Sequence, residues 1–281
     1  MSQGFDIITM SMGLPPTIAT AKMAKRVYDK GIIWCCAAGN EVQFVIAPAV
    51  YPGSIAVAAS NPLDKDWPKS SRGDTVDITA PGQDVYVPIL FKDPVDGFTI
   101  KEGFAYGSGT SYATPHVAAA AALWLAQYKS TLDQPGYQGW KRVEAFRKAL
   151  TRSARVCPAL PAGFGPGVLD VEKLLQTEPE VIEESDYAYN NWNENAFFAT
   201  LQGYAELAKT YWNRIHGWFS GKRRGEESMI GEIELSTLAR QFESGLFGTS
   251  YSATESATTE GEISRRLNKI QQQILLSAKQ D

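Results

Sequence analysis

One serine hydroxyl placed at the start of an apolar helix is the strongest chemical signal in this 281-residue chain. The run Gly107-Ser108-Gly109-Thr110-Ser111-Tyr112-Ala113-Thr114-Pro115-His116 leads into a stretch with no polar residue from Val117 to Ala126. That order predicts a helix beginning near residue 111 and running through a core, with Ser111 in its first turn. The first turn has unbonded amide hydrogens and a positive dipole end, the surroundings that favour an alkoxide and a developing oxyanion. Gly107 and Gly109 let the backbone turn sharply and approach a substrate, and Pro115 is expected in the first turn, where a missing amide hydrogen is tolerated. The chemistry on offer is nucleophilic acyl transfer by Ser111. Taken alone, Gly-Thr-Ser before an apolar helix reads more readily as a capped helix start with no chemistry.

Several other segments bear on that choice. Gly4-Phe5-Asp6-Ile7-Ile8-Thr9-Met10 reads as a strand that ends in Ser11-Met12-Gly13, and the apolar run from Ile32 to Cys36 ends in Ala37-Ala38-Gly39-Asn40. Tyr51-Pro52-Gly53-Ser54 precedes the apolar strand Ile55 to Ser60. Asp77-Ile78-Thr79-Ala80-Pro81-Gly82 and Phe164-Gly165-Pro166-Gly167-Val168-Leu169-Asp170 each close on a turn. In this order and spacing the segments resemble the catalytic domain of the subtilisin-like serine proteases, the subtilase family, over about residues 4–175. The resemblance implies that Ser111 is the nucleophile and that Asn40 shares the oxyanion hole with the Ser111 backbone amide. It also implies that Ser11, Met12, Gly13 and Gly39 line the cleft for a peptide substrate. Taken by itself, Asn40 after Gly39 reads as a turn residue.

The rest of a triad does not follow. A serine nucleophile needs a base to take its proton and a carboxylate to orient that base, and subtilases present them in the order Asp, His, Ser. No histidine precedes Ser111; the two in the chain are His116 and His216. His116 lies five positions beyond Ser111 on the same helix, so its ring is directed away from the hydroxyl, and a structural role is expected. His216, in Asn213-Arg214-Ile215-His216-Gly217-Trp218, lacks the Gly-Thr-His setting of the family's base. Asp6, Asp64, Asp66 and Asp74 read as solvated strand-end or turn carboxylates. The family's Asp strand and His-Gly-Thr helix would precede Met1, so the chain resembles the C-terminal portion of a subtilase domain. Alone, it is expected to turn over little or no peptide.

The elements that must position these residues follow from periodicity. Strand-like runs at 5–12, 32–38, 54–59, 75–79 and 85–90 are interleaved with a helix near 17–30, whose Ala21, Ala24, Val27 and Tyr28 form one apolar face. Further helices are expected near 111–128 and 139–152. Continuous apolar strands such as Ile32 to Ala38 belong to a parallel sheet covered on both faces. The fold class is therefore α/β, a doubly wound, mostly parallel sheet, subtilisin-like with its N-terminal strands missing and followed by a helical tail. Without those strands the sheet has an exposed edge, which calls for a covering partner such as an N-terminal complementing segment.

The chain divides into the partial catalytic domain, residues 1–176, an acidic linker at 177–196 and a helical tail at 197–281. In the tail, Leu201, Tyr204, Ala208, Tyr211, Ile215 and Trp218 recur at helical spacing, and a shorter run carries Leu235, Leu238 and Phe242. Residues 249–259 are Ser/Thr-rich and read as flexible, and Ile263, Leu267, Ile270 and Ile274 mark a docking helix. A net charge of −4 gives no electrostatic case for nucleic acid or an anionic membrane. No apolar stretch reaches the roughly 20 residues of a membrane span, and no signal peptide is visible, although subtilases are often secreted. The three cysteines, Cys35, Cys36 and Cys157, read as free thiols. No residue set identifies a metal or cofactor; the resemblance allows a structural calcium held by loop oxygens. The leading function is a serine endopeptidase domain, and the alternative is a non-catalytic module that uses the cleft or the tail to hold a partner.

Overall fold

The computed structural model describes residues 4–14, 16–92, 98–191 and the single residue Gly203. His216, the tail helices, the Ser/Thr-rich stretch and the end of the acidic linker lie outside the described residues. Four strands, β1 (Ile7–Met10), β2 (Ile33–Ala37), β3 (Ile55–Ser60) and β4 (Ile78–Pro81), form one parallel sheet in chain order. Strands β2 and β3 are buried at every position, which is why they are unbroken apolar runs rather than alternations. Their side chains part to two layers. Ile33, Cys35, Ile55 and Val57 enter one apolar cluster, whereas Trp34, Cys36, Ala56 and Ala58 enter the other.

Helices cover both layers. Helix α1 (Ile18–Asp29) lays Ala21, Ala24 and Val27 on the second cluster; Thr17 caps it, accepting from the Thr20 amide at 3.1 Å. Helices α2 (Thr110–Gln127), α3 (Lys129–Leu132), α4 (Trp140–Ser153) and α5 (Val171–Leu175) follow, and α2 and α4 roof the first cluster. The architecture is the expected α/β one.

Two features of α2 differ from the sequence reading. The helix starts at Thr110, so Pro115 sits in its second turn and not its first. Proline there has no amide to donate to the carbonyl four residues back, that of Ser111. The Ser11 hydroxyl fills the gap, donating to Ser111 O at 2.8 Å. Nor does α2 run through a core. It buries Ala113, Val117, Ala120, Ala121 and Trp124 on the sheet but leaves Ala119, Ala122, Leu123 and Ala126 exposed, because an alanine methyl in water carries little penalty.

Between sheet and α2 in the chain stands an antiparallel hairpin, β5 (Val85–Lys92) with β6 (Ile100–Gly107). Strand β6 was not foreseen, since Ile-Lys-Glu-Gly-Phe-Ala-Tyr-Gly has neither a clean alternation nor a buried face. Cross-strand aromatics support it: Tyr86 packs on Phe104 and on Tyr106 with ring centroids 5.1 Å apart in each case.

The sheet's two edges are unlike. At β4, Thr79 N donates to Gly167 O at 3.1 Å and Leu169 N to Thr79 O at 2.8 Å, so the Gly-Pro-Gly-Val-Leu segment closes that side. Among the described residues no strand pairs with the outer side of β1, whose side chains are half-buried or exposed.

The acidic stretch after α5 is laid along the helices, with three of its carboxylates in ion pairs. Glu180 meets Arg152, Glu184 meets Lys141 and Asp186 meets Lys148, each at 2.7 Å. Ile182 is buried, and Trp124 Nε1 donates to Thr177 O at 2.9 Å. Beneath this segment lies a polar hub. Arg147 pairs with Asp77 and, at 3.2 Å, with Glu144, and donates to Pro52 O at 2.8 Å and Ser54 O at 3.1 Å. Asp77 accepts from Ala56 N at 2.6 Å, tying the hub to β3. Glu144 accepts from Tyr28 OH at 2.9 Å, and that hydroxyl accepts from Ala188 N at 3.0 Å. Burial alone would lower the Arg147 pKa, but Asp77 and Glu144 outweigh it and raise it, so the guanidinium stays charged.

Candidate active site

Strands β1 and β2 are neighbours, and the segments that leave their carboxyl ends carry Ser11 and Asn40. In open α/β sheets this is where ligands bind. The N-terminus of α2 is brought to the same place. Ser111 Oγ donates to Ser11 O at 3.3 Å while Ser11 Oγ donates to Ser111 O at 2.8 Å, a reciprocal pair that pins the first turn of α2 to the segment after β1.

Asn40 is held by its oxygen. Oδ1 accepts from the Thr110 amide and from Thr110 Oγ1, both at 2.9 Å, and Thr110 Oγ1 in turn accepts from Gly39 N at 3.3 Å. A backbone N–H must find an acceptor, so these contacts fix which end of the carboxamide faces the helix and leave Nδ2 as the donor end. A β-carbon placed on Gly109 would lie 3.3 Å from Asn40 Nδ2 and 3.6 Å from Ser111 N. The small volume above Gly109 thus has two donors beside it, and the third neighbour, Asn40 Oδ1 at 3.7 Å, is the acceptor already taken by Thr110. Among the described residues the Ser111 amide donates to no other group.

Met12 is 59% exposed, and β-carbons placed on Gly13 and on Gly39 would each meet the Ile46 side chain. Of the other expected cleft and oxyanion positions, Ser11 is bonded to Ser111 and both Gly39 and Asn40 to Thr110, while Met12 and Gly13 follow Ser11 in the chain. Thr110, which orients Asn40, and Ile46, which floors the cleft, were not foreseen. The order Gly-Thr-Ser offered a signal for the first, since a hydroxyl at the first position of a helix is well placed to clamp a neighbouring loop.

His116 is turned to its own helix, with Nδ1 2.8 Å from Tyr112 O. It is the sole histidine among the described residues, and it does not reach Ser111. Asp6 pairs with Arg142 and Asp64 with Arg155, both at 2.8 Å. Cys35 and Cys36 are buried, and burial pushes both thiols well above the usual range, so neither is a nucleophile. No cluster of three metal-ligating side chains occurs among the described residues.

A hydroxyl at a helix start, two donors around one point and a glycine-lined strand beside them agree with the comparison to known families, in which the description "Subtilase family" matches residues 1–218. The chain belongs to the subtilase family. Subtilisin E of Bacillus subtilis (strain 168) is 40% identical over 187 residues, covering 63% of this chain and 42% of that protein. Subtilisin of Bacillus pumilus is 40% identical over 139 residues, 46% of this chain and 45% of that protein. This subtilase chain spans less than half the length of these relatives. Among solved structures, a protease from Pseudoalteromonas arctica superposes with a TM-score of 0.51 at 23% identity, over 63% of this chain and 52% of that one. The shared fold is the subtilisin-like α/β sheet.

Proposed function

We propose that this subtilase chain forms the nucleophile-bearing part of a serine endopeptidase. A peptide lies as an added strand along Ser11-Met12-Gly13, and Ser111 Oγ attacks its scissile carbonyl carbon. The carbonyl oxygen, now negative, enters the volume above Gly109 between Asn40 Nδ2 and the Ser111 amide. The serine proton passes to a base and from there to the leaving amine as the carbon–nitrogen bond breaks. Water then hydrolyses the acyl-serine. The observation that carries this reading is the pair of donors flanking one point above Gly109, next to the Ser111 hydroxyl. The base and its orienting carboxylate come from polypeptide outside the described residues, and the edge of β1, which no strand among the described residues pairs, is the place at which such a segment completes the sheet.

The second reading is a binding module that holds a peptide without cleaving it. It is favoured by Ser111 Oγ donating to a carbonyl, Ser11 O, rather than to a base.

A fluorophosphonate probe separates the two. Under the first reading it labels Ser111 in the chain supplied with a complementing N-terminal segment, and Ser111→Ala abolishes the label. Labelling of another residue, or of none with or without that segment, defeats the nucleophile assignment and leaves the binding module. Liposome flotation gives an independent check on the membrane, to which no binding is expected.

A further inference from the structure

Asn40 belongs to a closed loop. Ile46 N donates to Ala38 O at 2.9 Å, so the chain from Ala38 to Ile46 comes back on itself. Its first residues are held from several sides: Gly39 and Asn40 by Thr110, Glu41 N by Lys69 O at 2.6 Å, and Val42 O by the Ser71 hydroxyl at 2.9 Å. Phe44, further round, is half-buried, although Glu41 and Gln43 on the same loop are exposed. A phenyl ring among exposed polar neighbours calls for a cover.

Gly203 lies against that ring. A β-carbon on Gly203 would overlap Phe44 Cδ1 and Cε1 and stand 2.8 Å from Cγ, so the bare α-carbon rests on one edge of the phenyl group. Gly203 is itself helical and half-buried. Glycine is a poor helix former, and so close an approach of backbone to ring is a use that alanine could not serve. In the sequence it stands among Leu201, Tyr204, Ala208 and Tyr211, whose helical spacing gives one apolar stripe that needs a surface to pack on. The occupant that fits the Phe44 face is thus the chain's own tail.

We infer that the tail docks on the α/β domain through Gly203 and Phe44, and that this contact steadies the loop carrying Asn40. The bearing of that contact on the oxyanion rests on the function proposed above. Phe44 and Gly203 are positioning residues: they act through the Asn40 carboxamide, whose nitrogen must meet a developing negative charge. Releasing the tail leaves Thr110, Lys69 and Ser71 to hold the first half of the loop and uncovers Phe44 in the second.

The test is hydrogen–deuterium exchange in the full chain, which needs no catalysis. Gly203→Leu puts a side chain where the ring stands and, leucine being the better helix former, does so without weakening the helix at that position. Exchange across Gln43 to Ile46 should quicken about fivefold, what half of a buried phenylalanine is worth, while β3 stays protected. Phe44→Ala should quicken it too. Phe44→Ala combined with Gly203→Leu should win back part of the protection, because the leucine then fills the space the ring left; two independent losses would instead add. With a complementing N-terminal segment supplied, fluorophosphonate labelling of Ser111 should slow in both single variants and recover in the double one. Loop exchange unchanged in the single variants, equal quickening in β3, a double variant no better than either single one, or a measurable labelling rate that none of the substitutions moves overturns the inference. The exchange pattern as stated, together with a Ser111 that takes up no fluorophosphonate in any of the proteins, upholds the docked tail and rejects only the nucleophile assignment.

Discussion

The carboxamide of Asn40 has two tasks, and they can be separated by substitution. Its oxygen is fixed by Thr110, and its nitrogen faces the volume above Gly109. Asn40→Ala removes both and is expected to slow fluorophosphonate labelling of Ser111 by about 10²–10³, the size of the loss known for the corresponding donor in subtilisin, a relative. Thr110→Val keeps the nitrogen but drops one of the two bonds that aim it, so a smaller loss is expected. Gly109→Ala puts a methyl where the oxyanion would sit, at a backbone position (φ +157°) that favours glycine, and should label at least as slowly as Asn40→Ala. A labelling rate unchanged in Gly109→Ala would show that the volume has no part in the chemistry. That Asn40 and the start of the Ser111 helix lie together was legible only through the order of several motifs, since each residue alone reads as a turn or helix-start residue. Ile46 was not. Nothing local marks an isoleucine as a cleft floor; its place is set by a loop that crosses between two walls from sequence positions 13 and 39.

Pro115 shows how a helix can be shaped to serve a neighbouring strand. Because it lacks an amide, Ser111 O is free to accept from Ser11 Oγ at 2.8 Å. Pro115→Ala supplies the missing donor, which competes with Ser11. A hydrogen bond of about 1 kcal/mol is at stake, so amide exchange at Ser11 to Gly13 should quicken about fivefold, as read by hydrogen–deuterium exchange. Unchanged exchange there would mean that the serine hydroxyl does not hold the cleft strand. The α4 helix offers a larger effect. Arg147→Met leaves Asp77 and Glu144 with side chains only 12% and 6% exposed and their principal cation gone. Removing one partner of such a buried group costs about 3–5 kcal/mol, and urea unfolding should report it. A loss below about 1 kcal/mol would place the hub among weak surface pairs. Strands β2, β3 and helices α1, α2 and α4 were readable from apolar runs and helical spacing. The hub was not, since Asp77, Glu144 and Arg147 look like ordinary surface charges until the fold buries them, and β6 owes its existence to pairing with β5 rather than to its own pattern.

At the scale of the molecule, the segment from Thr177 to Asn191 is a strap fastened by charge. The Lys148 ammonium and the Glu183 amide hold the Asp186 carboxyl below the usual carboxylate range, against the opposing effect of partial burial. A carboxyl with a depressed folded pKa adds stability that is present above its unfolded value, about 3.9, and is lost as the pH falls through the folded one. The strap should therefore loosen in acid, below about pH 4, with faster exchange of the Ala188 amide that donates to Tyr28. Lys148→Met should lower protection at neutral pH and remove its decline in acid, so that the two proteins converge; parallel acid profiles would exclude the pair as the fastener. The cysteines carry a further consequence. Cys35 and Cys36 lie back to back on β2, one facing each layer of the interior, while Cys157 is half-exposed. The native protein should consume alkylating reagent at a single sulfur and release the other two only on global unfolding, so that counting modified thiols by mass is a built-in gauge of how much of any preparation is folded.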